Sequence, residues 1–168
     1  VMSLVKRAKE FGLRASKPIA KMDEIYARKK ALVKEFADYR VEQLNSPRFE
    51  LIKGKATFLN KNTIQVGKKT ITSRSFVIGT GSVVAHFDIP GLSEVGYITS
   101  DEALELQTLP KSMIVLGGGA VATEFAQFFS RVGSKTTLIQ RSNHIFSSSD
   151  EDLARPVENR FREEGMKV

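Results

Sequence analysis

Three small residues, Gly117, Gly119 and Ala122, carry the clearest chemical signal in this sequence, within the run Gly117-Gly118-Gly119-Ala120-Val121-Ala122. An apolar run, Met113–Leu116, precedes them, and a helical pattern from about Ala120 to Val132 follows. A helix N-terminus presents backbone N–H groups without intrahelical partners and the positive end of a dipole, so it attracts anions. A dinucleotide pyrophosphate can reach those groups only if the turn is tight and nearly free of side chains. Gly117 allows the tight turn, Gly118 keeps its centre bare, and Gly119 lets the backbone approach the phosphates. Ala122 is small enough for the helix to lie against the strand. A helix-capping loop that binds nothing would use similar glycines. The surrounding strand, helix and second strand favour a dinucleotide site.

A second strand, Lys135–Ile139, ends where such sites select the ribose. An acidic residue there accepts from the 2′-OH of NAD. Here the position is Gln140, followed by Arg141. Glutamine does not repel a 2′-phosphate, and a guanidinium can pair with one. The pair predicts a preference for NADPH over NADH.

These residues need elements to hold them. Apolar positions predict a helix over 4–13, ended by Gly12, and a long helix over 19–45, stopped at Asn45-Ser46-Pro47. Ile25, Leu32, Phe36 and Tyr39 approximate one face of the second. Short strands are then predicted around Phe49–Ile52 and Ala56–Leu59, with a hairpin at Thr63–Val66 and Lys69–Thr72. Ser75–Gly79 predicts a strand buried on both faces. An irregular crossing over 83–100 centres on Ile89-Pro90-Gly91. A short helix opens with Ser100 as its cap. In the helix after the glycine turn, Val121, Phe125 and Phe128 are the expected buried face, and Gly133 the C-cap. A last helix over 150–164 contains Pro156, which would kink it or delay its start. Gly165–Val168 reads as the start of another strand. The predicted fold class is α/β: long helices plus a small β-meander, joined to a βαβ unit of a parallel sheet.

The 168 residues are 41% hydrophobic and 27% charged, a globular composition. No apolar run reaches the ~20 residues of a membrane helix, and the N-terminus has no secretory h-region, so a cytoplasmic location is expected. The net charge of +7 is spread along the chain. Its densest stretch, Arg28-Lys29-Lys30, sits among Asp23, Glu24, Glu35 and Asp38, which reads as a mixed-charge solvated face rather than a nucleic-acid site. With no cysteine, the chain has no thiolate metal site or cysteine nucleophile of its own, and its two histidines are too far apart in sequence for helical metal-ligand spacing. No metal is expected.

In this order and spacing the motifs resemble the flavoprotein disulfide reductases, the family of dihydrolipoamide dehydrogenase, glutathione reductase and mercuric reductase. Gly54-Lys55-Ala56-Thr57-Phe58 resembles the strand that meets the flavin adenine. Ser75–Ser82 resembles the family's apolar strand ending in Ala-Thr-Gly, Ile89-Pro90-Gly91 the crossing, and Thr99–Leu104 the helix after it. Gly117–Glu124 resembles Gly-x-Gly-x-x-Gly/Ala-x-Glu. Thr137–Ser142 is most similar to mercuric-reductase relatives.

The resemblance implies FAD and NADP (or NAD) as cofactors. It places Lys55 and Ala56 near the adenine of FAD, Thr80 and Gly81 near its pyrophosphate and ribitol, and Glu124, as a catalytic residue, where nicotinamide meets flavin. Arg141 matches an arginine aimed at the 2′-phosphate. Ala120 replaces a tyrosine gate, and Ser147 replaces a second phosphate-directed arginine. Residues 1–84 are implied to be the C-terminal part of the first FAD-binding segment, and 85–168 the N-terminal half of the NAD(P)-binding domain. The chain is then a middle piece of an enzyme that moves a hydride from NAD(P)H to FAD and on to a disulfide or related acceptor, and is expected to be inactive alone. Its parent is expected to be a homodimer, dimerising through a domain beyond this sequence, with a small-molecule or small-protein electron acceptor. A non-catalytic NAD(P)-binding module, or a cysteine-independent NADH oxidase or ferredoxin-reductase-like flavoenzyme, is the alternative.

Overall fold

A computed structural model describes residues 1–85 and 88–168; His86 and Phe87, inside the expected irregular crossing, lie outside the described residues. The chain forms two compact units. One comprises Val1–Lys29 with Gly96–Val168, the other Lys30–Val95.

The first unit opens with helix α1, Met2–Lys6, and a 3-10 turn, Ala8–Phe11. Gly12 ends this segment in the left-handed region (φ 73°), as expected of a glycine stop. Helix α2, Met22–Leu44, starts in this unit and runs into the other. Its N-terminal Met22 is buried and Ile25 half-buried, whereas Leu32, Phe36 and Tyr39 are exposed. In and around α2, Lys21 pairs with Glu24, Lys29 with Glu105 and Lys34 with Asp38.

The second unit holds a three-stranded antiparallel meander, β1 (Ala56–Asn60), β2 (Thr63–Val66) and β3 (Lys69–Thr72). Gly67, at φ 59°, makes the two-residue β2–β3 turn. Two expected strands are absent. Phe49–Ile52 is irregular, and so is Ser75–Gly79. A strand exists by its ladder, and neither segment pairs with another among the described residues. Phe76 meets Phe58 edge to face, but Val77 is 98% exposed. One helical turn, α3 (Leu92–Val95), follows.

Helix α4, Ser100–Leu104, belongs to the first unit, and its cap is Thr99 rather than Ser100. The Thr99 Oγ1 accepts from the Asp101 N–H, while the Glu102 carboxylate accepts from the Thr99 N–H, a reciprocal pair that Ser100 cannot form from within the helix.

The core of this unit is a βαβ arrangement. Strand β4 (Ser112–Leu116) lies parallel to β5 (Lys135–Ile139), with helix α5 (Ala120–Val132) between them in sequence. Helix α6 (Glu151–Glu163) follows, and Lys167 then bridges in parallel to Thr137, the first contact of the expected further strand. Pro156 is accommodated inside α6, whose start is not delayed past it. Helix α5 buries Thr123, Ala126, Phe129 and Val132; the expected Val121 and Phe128 are exposed and Phe125 only half-buried. The apolar arc of this helix is wider than the stripe it buries, and the buried stripe lies toward the edge that includes Thr123. That stripe centres on Ala126, whose small side chain lets the helix come close to Leu138 and the adjoining Ile145, Ala154 and Phe161. Phe129 packs with Val132, Met22 and Met113 in a second cluster. Among the described residues no helix is long and apolar enough to cross a membrane.

Phe129 is fully buried and touches the Phe125 and Phe128 rings. Phe129→Ala is expected to lower unfolding free energy by about 3–5 kcal/mol in urea titration, and Phe128→Ala by much less.

Arg131, in the last turn of α5, holds Glu164 through two parallel hydrogen bonds of 2.8 and 2.9 Å, and Arg160 adds a third. The Arg131 bonds outweigh burial and, with Arg160, hold the Glu164 carboxyl below the ordinary glutamate value. A lowered folded-state value stabilises the fold above the unfolded value, about 4.3, and that contribution disappears as pH falls through the folded value. Acid titration of Glu164→Gln should therefore show a stability deficit at neutral pH that starts to shrink below about pH 4 and vanishes only once pH has fallen past the lowered folded-state value.

Candidate functional site

Strand β4 delivers the chain directly into the glycine turn. The Gly117 N–H donates to the Ile139 carbonyl at 2.8 Å, tying the end of β4 to the end of β5. Gly117 has φ 116°, a conformation that side-chain-bearing residues rarely adopt. A Cβ there would lie 3.7 Å from the Ala122 Cβ, so Ala122 packs directly against the turn. Gly118 is buried. A Cβ on it would come 2.8 Å from the Gln140 Cδ, because the Gln140 side chain lies across this glycine. Gly119 is the N-cap of α5, with ordinary backbone angles, and a Cβ there would enter open space.

The first intrahelical bond runs from the Thr123 N–H to the Gly119 carbonyl, at 3.0 Å. The N–H groups of Ala120, Val121 and Ala122 therefore have no acceptor within the helix. No side chain caps this end, and its first turn carries no acidic residue. The positive end of the dipole is left uncompensated beside the open space at Gly119. The buried Thr123 hydroxyl lies 3.0 and 2.9 Å from the Gly119 and Ala120 carbonyls, which fixes the first turn from beneath.

The structure brings Gly117, Gly118, Gly119, Ala122 and Gln140 together. Gln140 also reaches the His144 carbonyl, at 3.4 Å, through Nε2. Arg141 follows in the loop, exposed and without an ion pair among the described residues. Glu124 is exposed in the second turn of α5. Lys55, Ala56, Thr80 and Gly81 belong to the other compact unit. All four are exposed, with Ala56 opening β1 and Gly81 at φ 74° facing open space.

Sequence reasoning missed the loop over the glycine turn. The Phe146 N–H donates to the Gly118 carbonyl at 2.7 Å, and Ile145 is fully buried beside it. The Ile145 N–H donates to the carboxylate of Glu158, which is itself 2% exposed. A signal for Glu158 was present: with Ala154 and Phe161 it shares one helical face, and a charge on an apolar face requires a buried partner.

Gly118→Ala is expected to displace Gln140 and cost about 1 kcal/mol, and Gly118→Ala/Gln140→Ala less than the sum of the single changes, by thermal denaturation.

A family described as pyridine nucleotide-disulphide oxidoreductase matches residues 5–168. Mercuric reductase of Staphylococcus aureus is 35% identical over 158 residues, covering 94% of this chain and 29% of that protein. Dihydrolipoyl dehydrogenase of Mycoplasma genitalium is 28% identical over 174 aligned residues, covering all of this chain and 38% of that protein. The Cu(II) complex of the HOCl-induced flavoprotein disulfide reductase RclA from Escherichia coli superposes with a TM-score of 0.77 at 26% identity, over 99% of this chain and 37% of that one. The chain thus spans 25–38% of the length of the curated relatives it matches.

Proposed function

The chain belongs to the pyridine nucleotide-disulphide oxidoreductase family, and on that premise we propose that it forms the nucleotide-accepting part of an FAD-dependent oxidoreductase that prefers NADPH. Oxidoreductases of this family use FAD and NAD(P)H. The chemistry supplied by the bound pair is hydride transfer from nicotinamide to flavin, with onward reduction of a disulfide or related acceptor.

One observation carries the reading: Gly119 faces open space at the uncapped N-terminus of a 13-residue helix. A pyrophosphate there would meet N–H groups that have no other acceptor in the helix, with no side chain in its way. The turn is already shaped by Gly117, Gly118 and Ala122, so little ordering is left for binding. Beyond the pyrophosphate, Gln140 brings no negative charge to the ribose end, and Arg141 is free to pair with a 2′-phosphate. Glu124 lies further along the same helix, and its exposure supports a role beside the nicotinamide.

The flavin side rests on Lys55, Ala56, Thr80 and Gly81, supported by their exposure and by the bare, left-handed backbone at Gly81. On this reading residues 1–84 serve FAD and 85–168 the nicotinamide nucleotide. The chain has no cysteine, so reduction of a disulfide engages thiols other than its own, and the 168 residues alone are expected not to carry out that step. Membership of the family supports a cytoplasmic protein, a small-molecule or small-protein electron acceptor, and a homodimer.

Titration of the chain with each nucleotide, followed by reduced-nicotinamide fluorescence, tests this reading. NADPH is expected to bind more tightly than NADH. Arg141→Ala should weaken NADPH about tenfold and leave NADH within about twofold. Gly119→Ala should shift Tm by only a few degrees yet weaken both nucleotides by about tenfold or more. Tighter NADH binding would overturn the NADPH preference, and binding of neither nucleotide the site itself.

A further inference from the structure

Glu158 is the one buried acidic side chain among the described residues, and the nucleotide chemistry above makes no use of it. Its Oε1 accepts the Ile145 N–H at 3.0 Å, while its Oε2 pairs with Arg155 at 2.8 Å and Arg162 at 3.1 Å. Arg155 and Arg162 lie three residues before and four after it on α6, so the helix would satisfy this carboxylate without any loop. The bond to Ile145 adds a connection of a different kind: it reaches out of the helix and grips the loop between β5 and α6.

That loop is under strain at the next residue. Phe146 has φ 54°, the left-handed region, which costs a side-chain-bearing residue about 1 kcal/mol or more. Two restraints hold it there. On one side the Phe146 N–H donates to the Gly118 carbonyl at 2.7 Å; on the other the preceding Ile145 is anchored by its burial and by Glu158. The chain of contacts thus runs from α6 through Glu158, Ile145 and Phe146 to the glycine turn. The exposed Arg141, Ser142 and Asn143 lie in the same loop, between Gln140 and this anchored hinge.

We infer that Glu158 is a positioning residue for nucleotide selection: by fixing the Ile145–Phe146 hinge it holds the loop that aims Arg141 at a 2′-phosphate. The inference rests on the NADPH reading of the same site. Glu158 touches no nucleotide. It sets the place of the loop residues that distinguish one nucleotide from the other, whereas the turn that receives the pyrophosphate, although it also meets Phe146 through the Gly118 carbonyl, has a separate tie to β5 in the Gly117–Ile139 bond. Removing the carboxylate frees the hinge to leave its strained conformation. The Arg141 end of the site then spreads over several positions, and the pyrophosphate end keeps its tie to β5 through the Gly117–Ile139 bond.

Selectivity therefore separates this role from simple stabilisation of the fold. A merely structural glutamate would lower affinity for both nucleotides together or leave both unchanged. The same fluorescence titrations on wild type, Glu158→Ala and Glu158→Gln supply the test. Glu158→Ala is expected to weaken NADPH about tenfold with NADH held within about twofold, collapsing the affinity ratio. Glu158→Gln retains an acceptor for the Ile145 N–H but not the charge. It is expected to lose about threefold for NADPH alone, and it carries the test if the alanine variant does not fold. Ratios equal to wild type in the folded variants, or equal losses for both nucleotides, would overturn the role of Glu158 and leave the nucleotide site standing. A wild-type chain that binds neither nucleotide, or shows no preference for NADPH, would instead overturn the reading on which this one is built.

Discussion

The close approach of α5 to the β4–β5 pair is the constraint on which the rest of the first unit depends. Ala126 and Leu138 share one cluster at 0% and 2% exposure, an approach that a bulkier side chain at Ala126 would prevent. With the helix that near the sheet, only a few residues remain to turn from strand to helix, and Gly117 takes a positive φ to do it. The Gly117 N–H then closes on the Ile139 carbonyl, and Ala122 packs on the turn. The open N-terminus of α5 is a consequence of this packing rather than a separate feature.

The same packing explains why the loop after β5 can be held so firmly. Ile145 enters the cluster formed by Ala126, Leu138, Ala154 and Phe161, so the loop has an apolar anchor as well as polar ones. Its backbone N–H groups are answered from two directions, by Gly118 and by Glu158. A buried carboxylate is costly unless it is paired and hydrogen-bonded. Burial works to raise the Glu158 carboxyl; the Ile145 N–H and the guanidiniums of Arg155 and Arg162 more than offset this and hold it below the ordinary glutamate value. Helix α6 is fastened at its far end by Glu164 with Arg131 and Arg160. The two carboxylates thus connect α6 to both ends of the βαβ unit.

Local signals were legible where local chemistry decides. Helix α5 and strand β5 begin and end where their sequence predicts, because a glycine turn, Gly133 and a change of period mark their limits. Gly67 likewise marked the β2–β3 turn. Reading failed where a distant partner decides. Ser75–Gly79 has the composition of a buried strand, but a strand needs a neighbour, and composition does not supply one. The apolar arc of α5 is wider than the face it buries, and composition does not say which edge of the arc turns inward; the fit of Ala126 against Leu138 chose it. The Thr99 cap was displaced by one residue because Ser100 offers the same oxygen, and only the return bond from Glu102 separates them. The loop latch was invisible, since Ile145 and Phe146 act through backbone N–H groups that carry no residue identity. The order of the small motifs pointed to the family, and each of those motifs is local.

These considerations bear on where selectivity can reside in such a site. Free N–H groups at a helix end meet a pyrophosphate that NADH and NADPH share, so the geometry of the glycine turn cannot distinguish them. Discrimination needs a group beyond the turn, at the 2′ position, and in this chain the candidates Gln140 and Arg141 stand at the start of a loop. A loop is a poor platform for a charged contact unless its backbone is fixed beforehand, because ordering it on binding would consume much of what the contact contributes. Here Gln140 is packed across Gly118, and the loop is pinned at Ile145 and Phe146. On the proposed reading, affinity at the turn and selectivity in the loop would rest on different supports: the first on α5 and its sheet, the second on α6, which is remote in sequence from the glycines of the turn.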